Sequence, residues 1–164
     1  MIPKSILFVC TGNICRSPMA EAIFKHMLKQ EGLDGIEVFS RGVAAVQDQS
    51  IPEESRLALK AIGLSADDHR PQQLEQKDLR RADLILVMEE RQREFIYHMY
   101  PASRRKTFLL KAHADEEGLC DIADPMGGSP SDYEKSRIEI QNCLQGLLSK
   151  IKLRHGEREK KEKP

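Results

Sequence analysis

No stretch of this chain is apolar for long enough to cross a membrane, and the first apolar run, Ile6-Leu7-Phe8-Val9, is too short to be the core of a secretion signal. Net charge is also missing: 26 Lys and Arg balance 26 Asp and Glu, so no overall field draws the protein to nucleic acid or to a membrane surface. The basic clusters Arg80-Arg81 and Arg104-Arg105-Lys106 are short enough to read as solvated surface. Cysteine is sparse. Cys10, Cys15, Cys120 and Cys143 include no CxxC pair, and the histidines His26, His69, His98, His113 and His155 lack metal-ligand spacing. A disulfide framework and a zinc site are therefore not expected. Free thiols in a reducing, cytoplasmic compartment are. No internal repeat is present.

What is there is ordinary globular composition, 40% apolar and 32% charged. Residues 1–151 read as one domain, and 152–164, rich in Lys, Arg and Glu, as a charged, frayed tail that cannot bury enough surface to order itself. Short apolar runs alternate with helix-period segments. Strands are expected at Ser5–Val9, Ile36–Ser40, Leu84–Met88 and Thr107–Leu110. Pro18 reads as a first helical residue with Ser17 as its cap, and Gly32 closes that helix. Pro52 opens a second helix, packing Leu57, Ala58, Ala61 and Ile62 and stopping at Gly63. Short helical stretches follow at Leu74–Arg81 and Glu89–Tyr100, then a long loop over 111–128. The last helix is capped near Ser129 or Ser131 and carries Tyr133, Ile140, Leu144, Leu147, Leu148 and Ile151 on one stripe. Strands alternating with helices predict an α/β fold: a four-stranded parallel sheet with helices on both faces and a site beyond the carboxyl ends of its strands.

The chemistry concentrates in Cys10-Thr11-Gly12-Asn13-Ile14-Cys15-Arg16-Ser17-Pro18, between the first strand and the first helix. A cysteine ending an apolar strand is most often a core residue. Here the loop runs into a helix N-terminus, whose backbone N–H groups and dipole form an anion site that also stabilises negative charge on Cys10. Arg16 closes the loop with a planar guanidinium able to grip two phosphate oxygens. Gly12 lets the backbone approach a ligand, and Asn13 tolerates a left-handed turn. Ser17 can donate its hydroxyl to the Cys10 sulfur. The pattern predicts a nucleophilic cysteine in a phosphate cradle, with no metal or other cofactor.

VCTGNICRSPMAEA resembles the signature loop of the low-molecular-weight protein tyrosine phosphatases. Ser40-Arg41-Gly42, His69 and Asp83 to Met88 are similar to further family positions, and Asp124-Pro125 to the family's general-acid motif, so the likeness spans roughly residues 4–151. The resemblance implies a Rossmann-like architecture and phosphorylated proteins as substrates. It implies attack by Cys10 on phosphorus through a cysteinyl-phosphate, Arg16 and the loop amides on the phosphoryl oxygens, and Asp124 as proton donor. Substrate contacts would fall to Thr11, Gly12, Asn13, Ile14, Cys15, Ser17 and Met126, with Ser40 and His69 holding Asn13. It further implies a protective disulfide between Cys10 and Cys15 under oxidation, against the plainer reading of Cys15 as a small packed side chain. An Asp-Pro pair alone is usually a turn, and His69 alone a surface residue.

The substrate signals diverge. Ile14 matches the tyrosine phosphatases of this family, whose arginine-directed relatives carry Thr at that point. Asp124-Pro125-Met126-Gly127-Gly128-Ser129, without an aromatic wall, resembles the arginine-directed branch instead. Ile14 lies deeper in the loop, so phosphotyrosine is the expectation and phosphoarginine the alternative. Arsenate reductase shares the fold but needs further cysteines, and 87–96 contains none. A non-catalytic phosphate-binding module would not need Cys10, Arg16 and Asp124 together.

Overall fold

A computed structural model describes residues 2–33, 35–114 and 121–162, with side chains up to residue 157. Four strands, β1 (Ser5–Cys10), β2 (Glu37–Gly42), β3 (Leu84–Val87) and β4 (Thr107–Leu109), form one parallel sheet in the order β2-β1-β3-β4. β1 is buried along its whole length, as a strand flanked by neighbours on both sides and helices on both faces must be. Its side chains alternate between two cores. Ile6, Phe8 and Cys10 face a cluster built with α1 (Arg16–Gln30), α2 (Glu53–Lys60), α5 (Leu110–His113) and α6 (Pro130–Glu162). Leu7 and Val9 face the other, with Leu79 of α3 (Gln76–Arg81) and Ile96 of α4 (Glu90–Met99). Phe8 meets Phe24 of α1 edge to face at 5.9 Å.

The chain leaves β1 toward β2 on one side and later crosses to β3 on the other. The carboxyl ends of β1 and β3 therefore flank a crevice at the point where the winding reverses. Cys10 stands at the end of β1 in that crevice. Ile122 N–H donates to Met88 O at 2.8 Å, which fastens the segment carrying Asp124 to the exit of β3.

Several local expectations shift. α1 starts at Arg16, not at Pro18, so Ser17 lies inside the first turn and is not its cap. Pro18 is tolerated there because the first-turn N–H groups have no intrahelical acceptor. In α2 the inward residues are Ser55, Ala58 and Leu59, whereas Leu57 is 52% exposed and Ala61 lies on the surface. Pro52 is the N-cap and sets that register, so the buried positions fall at i, i+3 and i+4 from Ser55. The long loop over 111–128 begins with the helical turn of α5; Asp115 and Cys120 lie outside the described residues. Past Ile151, α6 runs on to Glu162, where a frayed tail was expected. These turns keep Leu153 exposed, and Lys and Glu are good helix formers that continue a helix without packing. Among the described residues no helix is long and apolar enough to cross a membrane.

Candidate active site

The loop from Cys10 to Arg16 wraps into a cradle because its middle residue bends left-handed. Asn13 has φ 56°, the only positive φ outside glycine among the described residues, and is fully buried. Such a backbone costs energy unless its surroundings fix it. Here every polar atom of Asn13 is held. Its Oδ1 accepts from Gln72 N–H at 2.9 Å, which sets the amide orientation. Its Nδ2 donates to Ser17 Oγ and to Ser40 Oγ, both at 2.9 Å. His69 Nε2 lies 2.8 Å from Asn13 O, and Asn13 N–H donates to Cys10 Sγ at 3.3 Å. Ser40 in turn donates to Glu21 Oε2 at 2.6 Å. Burial holds His69 below the usual histidine range, despite its bond to Asn13 and the nearby Glu21 carboxylate. The neutral ring therefore donates its Nε2–H to the carbonyl.

Cys10 is buried, with its sulfur 2.9 Å from Ser17 Oγ. Ser17 already accepts from Asn13, so its single proton is left to donate. The Cys10 sulfur is nearer than its other acceptor, Arg41 O at 3.4 Å. Two donors, the Asn13 amide and the Ser17 hydroxyl, thus converge on the sulfur. Gly42, at the end of β2, closes the cradle from behind: a Cβ there would sit 2.6 Å from Thr11 O and 3.0 Å from Asn13 N. Ile14 is buried, and its side chain lies against Gly12.

Arg16 is 1% exposed and is gripped on one edge. Its Nη1 donates to the Glu89 carboxylate and to Ile122 O at 2.7 Å, and its Nη2 lies 3.1 Å from Asp124 Oδ2. Its Nε has no partner, the only buried side-chain nitrogen among the described residues in that position. A buried, unmet cationic donor is costly and marks a place for an anion. Glu89, at the N-cap of α4, also binds Arg91. Burial favours its neutral form, but the Arg91 hydrogen bonds and the Arg16 charge outweigh that and hold the carboxyl below its usual range.

Cys10, the loop through Ser17, Ser40, His69 and Asp124 are thus brought to one place. Asp124 is partly exposed and accepts from Met126 N–H at 3.2 Å. Met126 is 48% exposed beside the site, its sulfur 3.8 Å from the Tyr133 hydroxyl. Cys15 is buried, its thiol pushed up to about 11 mainly by desolvation. Sequence reasoning missed Glu89, Gln72 and Glu21. Only the first carried a signal: it sits just past the apolar strand β3, where a sheet wound in this way brings its loops together.

The family model for low molecular weight phosphotyrosine protein phosphatase matches residues 5–158. A protein-arginine-phosphatase from Geobacillus stearothermophilus is 37% identical over 151 residues, 92% of this chain and 97% of that protein. The low molecular weight protein-tyrosine-phosphatase Ptp of Acinetobacter johnsonii is 34% identical over 141 residues, covering 86% and 93%. Among solved structures, the YwlE arginine phosphatase from Geobacillus stearothermophilus superposes with a TM-score of 0.84 at 36% identity, covering 94% of this chain and 97% of that one.

Proposed function

We propose, from the premise that this chain belongs to the low molecular weight phosphotyrosine protein phosphatase family, that it hydrolyses phosphotyrosine in proteins with Cys10 as nucleophile. That the protein is a phosphatase, a phosphoric monoester hydrolase, follows from the family itself. The observation that carries the residue roles is the unmet, buried Nε of Arg16 in the same loop as a sulfur that receives two donors.

In this reading the Cys10 sulfur attacks phosphorus in line, forming the S–P bond as the P–O bond to the leaving group breaks. Arg16 Nε and the loop N–H groups hold the equatorial oxygens, where charge is concentrated in the transition state. Asp124 gives its proton to the leaving oxygen, then takes one from the water that hydrolyses the cysteinyl-phosphate. Ser17 donates to the sulfur as it departs. Glu89 and Ile122 O hold Arg16 in plane while leaving its Nε available.

Ile14 supports phosphotyrosine: a buried apolar side chain against Gly12 offers a phenyl ring contact and a guanidinium nothing. Phosphoarginine is the second reading. The segment after Asp124 presents Met126 and Gly127 and no ring, and relatives named for arginine phosphatase activity match nearly the whole chain. Turnover of matched phosphotyrosine and phosphoarginine peptides decides between them. Turnover retained by Cys10→Ser would remove Cys10 as nucleophile under either.

A further inference from the structure

Gln92 lies in the first turn of α4, is 1% exposed, and takes no part in the chemistry described above. Its Oε1 accepts from Met88 N–H at 2.9 Å and from Glu89 N–H at 3.0 Å, which fixes its amide. Its Nε2 is thereby turned to Thr11 Oγ1, at 3.2 Å. Thr11 is the second residue of the phosphate loop. Glu89, three residues before Gln92, binds Arg16, the last residue of that loop.

We propose that the first turn of α4 is a bracket that fixes both ends of the phosphate loop, with Gln92 the positioning residue at the Thr11 end. The proposal rests on the reading of Cys10 to Arg16 as the phosphate site. A cradle of backbone N–H groups works only when each points at the phosphoryl oxygens. Asn13 holds the middle of the loop and Glu89 its Arg16 end. At the other end, Thr11 O accepts from Ala44 N–H at 2.9 Å on the β2 side, and Gln92 supplies a side-chain tie from the β3 side. The same amide bonds Met88 N–H and Glu89 N–H, so a displacement of α4 reaches Thr11 and Arg16 together. The Thr11 hydroxyl also lies 3.5 Å from Arg91 Nη2. Flanked by donors, Thr11 Oγ1 serves as acceptor, and its own proton is left for another group.

The test is a double-mutant cycle on the full chain with Thr11→Val and Gln92→Met, and with Gln92→Asn as a shorter replacement should the methionine variant not fold. The readouts are competitive inhibition by inorganic phosphate, KM and kcat for an aryl phosphate, and thermal midpoint. Each single change is expected to raise the phosphate inhibition constant and KM in parallel by about three- to tenfold, the scale of one lost hydrogen bond. The double variant is expected to be no worse than the Gln92 variant alone, and Thr11→Ser to restore wild-type values. Full multiplication of the two losses, or wild-type inhibition in Thr11→Val, overturns the bracket while leaving the phosphate site standing. If inorganic phosphate fails to compete in the wild-type protein, the phosphate-site reading falls and the bracket with it.

Discussion

Glu89 and Arg16 form an ion pair at the crevice between β1 and β3, with the guanidinium side chain 1% exposed and the carboxylate 12%. The pair fixes one edge of the guanidinium, and the Nε is left unmet on a group that cannot turn away. A buried cation stripped of its carboxylate is destabilising by more than the pair was worth. Arg16 keeps Ile122 O and Asp124, so Glu89→Ala is expected to cost about 1.5–3 kcal/mol in denaturant unfolding, the scale of a hydrogen bond to a charged group, and at least tenfold in kcat/KM. Because the Glu89 carboxyl is held below its usual 4.5, its contribution is full above that pH and is lost as pH falls through the lowered value. The stability gap between wild type and Glu89→Ala should narrow on acidification. A gap independent of pH, or activity unchanged by the substitution, would show that Arg16 does not depend on Glu89.

The sequence could show Cys10 to Arg16 because that loop is contiguous: strand, turn and helix start are adjacent, and each constrains its neighbour. β1 and β3 were legible as unbroken apolar runs, a consequence of burial on both faces. Gln72 was not, since its role comes from a segment crossing behind the loop, which no local pattern encodes; Glu89 was marked only by its place just past β3, and its pairing with Arg16 comes from the strand order. Leu57 and Leu59 show the limit within one element. Both are apolar, and only the start set by Pro52 decides which turns inward. Ser17 looked like a cap because it precedes proline; its hydroxyl instead goes to the sulfur.

The Asp124 carboxylate shares the Arg16 guanidinium with any bound phosphate, at 3.1 Å from Nη2. Asp124→Asn removes an anion from beside an anion site. Inorganic phosphate should therefore bind the variant more tightly, by a few-fold, while turnover falls. The fall should be steep for alkyl and phenyl phosphates and shallow for nitrophenyl phosphate, whose leaving group departs without a proton. Equal losses along that series would place the acid elsewhere, with Asp121 next along the same segment.

Cys15 sits under the loop with its thiol pushed up to about 11, largely by burial and in part by the neighbouring Cys10. At neutral pH it is a protonated, unreactive thiol. If it closes a disulfide onto Cys10 after peroxide has converted Cys10 to a sulfenic acid, it must first lose that proton. Its thiolate then forms the S–S bond as hydroxide leaves Cys10. The rate of closure, followed by mass spectrometry of quenched samples, is expected to rise about tenfold per pH unit and to level off only near 11. A rate independent of pH between 7 and 9 would show that loss of the Cys15 proton does not limit closure, and absence of the Cys10–Cys15 link from the oxidised protein would make Cys15 a packing residue that takes no part in protecting Cys10.

Ile14 lies inside the phosphate loop, one residue from the left-handed Asn13 and packed against Gly12. In the reading of this loop as the phosphate site, the group bound to phosphorus is expected to leave the cradle near this side chain. An isoleucine gives a phenyl ring apolar contact, whereas a guanidinium beside it would lose water without gaining a partner. Ile14→Thr keeps nearly the same volume and adds a hydroxyl, which can accept from the guanidinium or order the attacking water. One such contact is worth about 1–3 kcal/mol, roughly ten- to a hundredfold in relative rate. The remaining walls do little to oppose the change. Met126 is exposed, Gly127 has no side chain, and no ring follows Asp124 before Tyr133. The expected result is a shift in the ratio of kcat/KM for phosphoarginine over phosphotyrosine peptides of at least tenfold toward phosphoarginine, with phosphate inhibition little changed because the backbone N–H groups and Arg16 are retained. Preference for phosphoarginine already in the wild-type protein would transfer the choice of substrate from Ile14 to the Met126-Gly127-Gly128 segment.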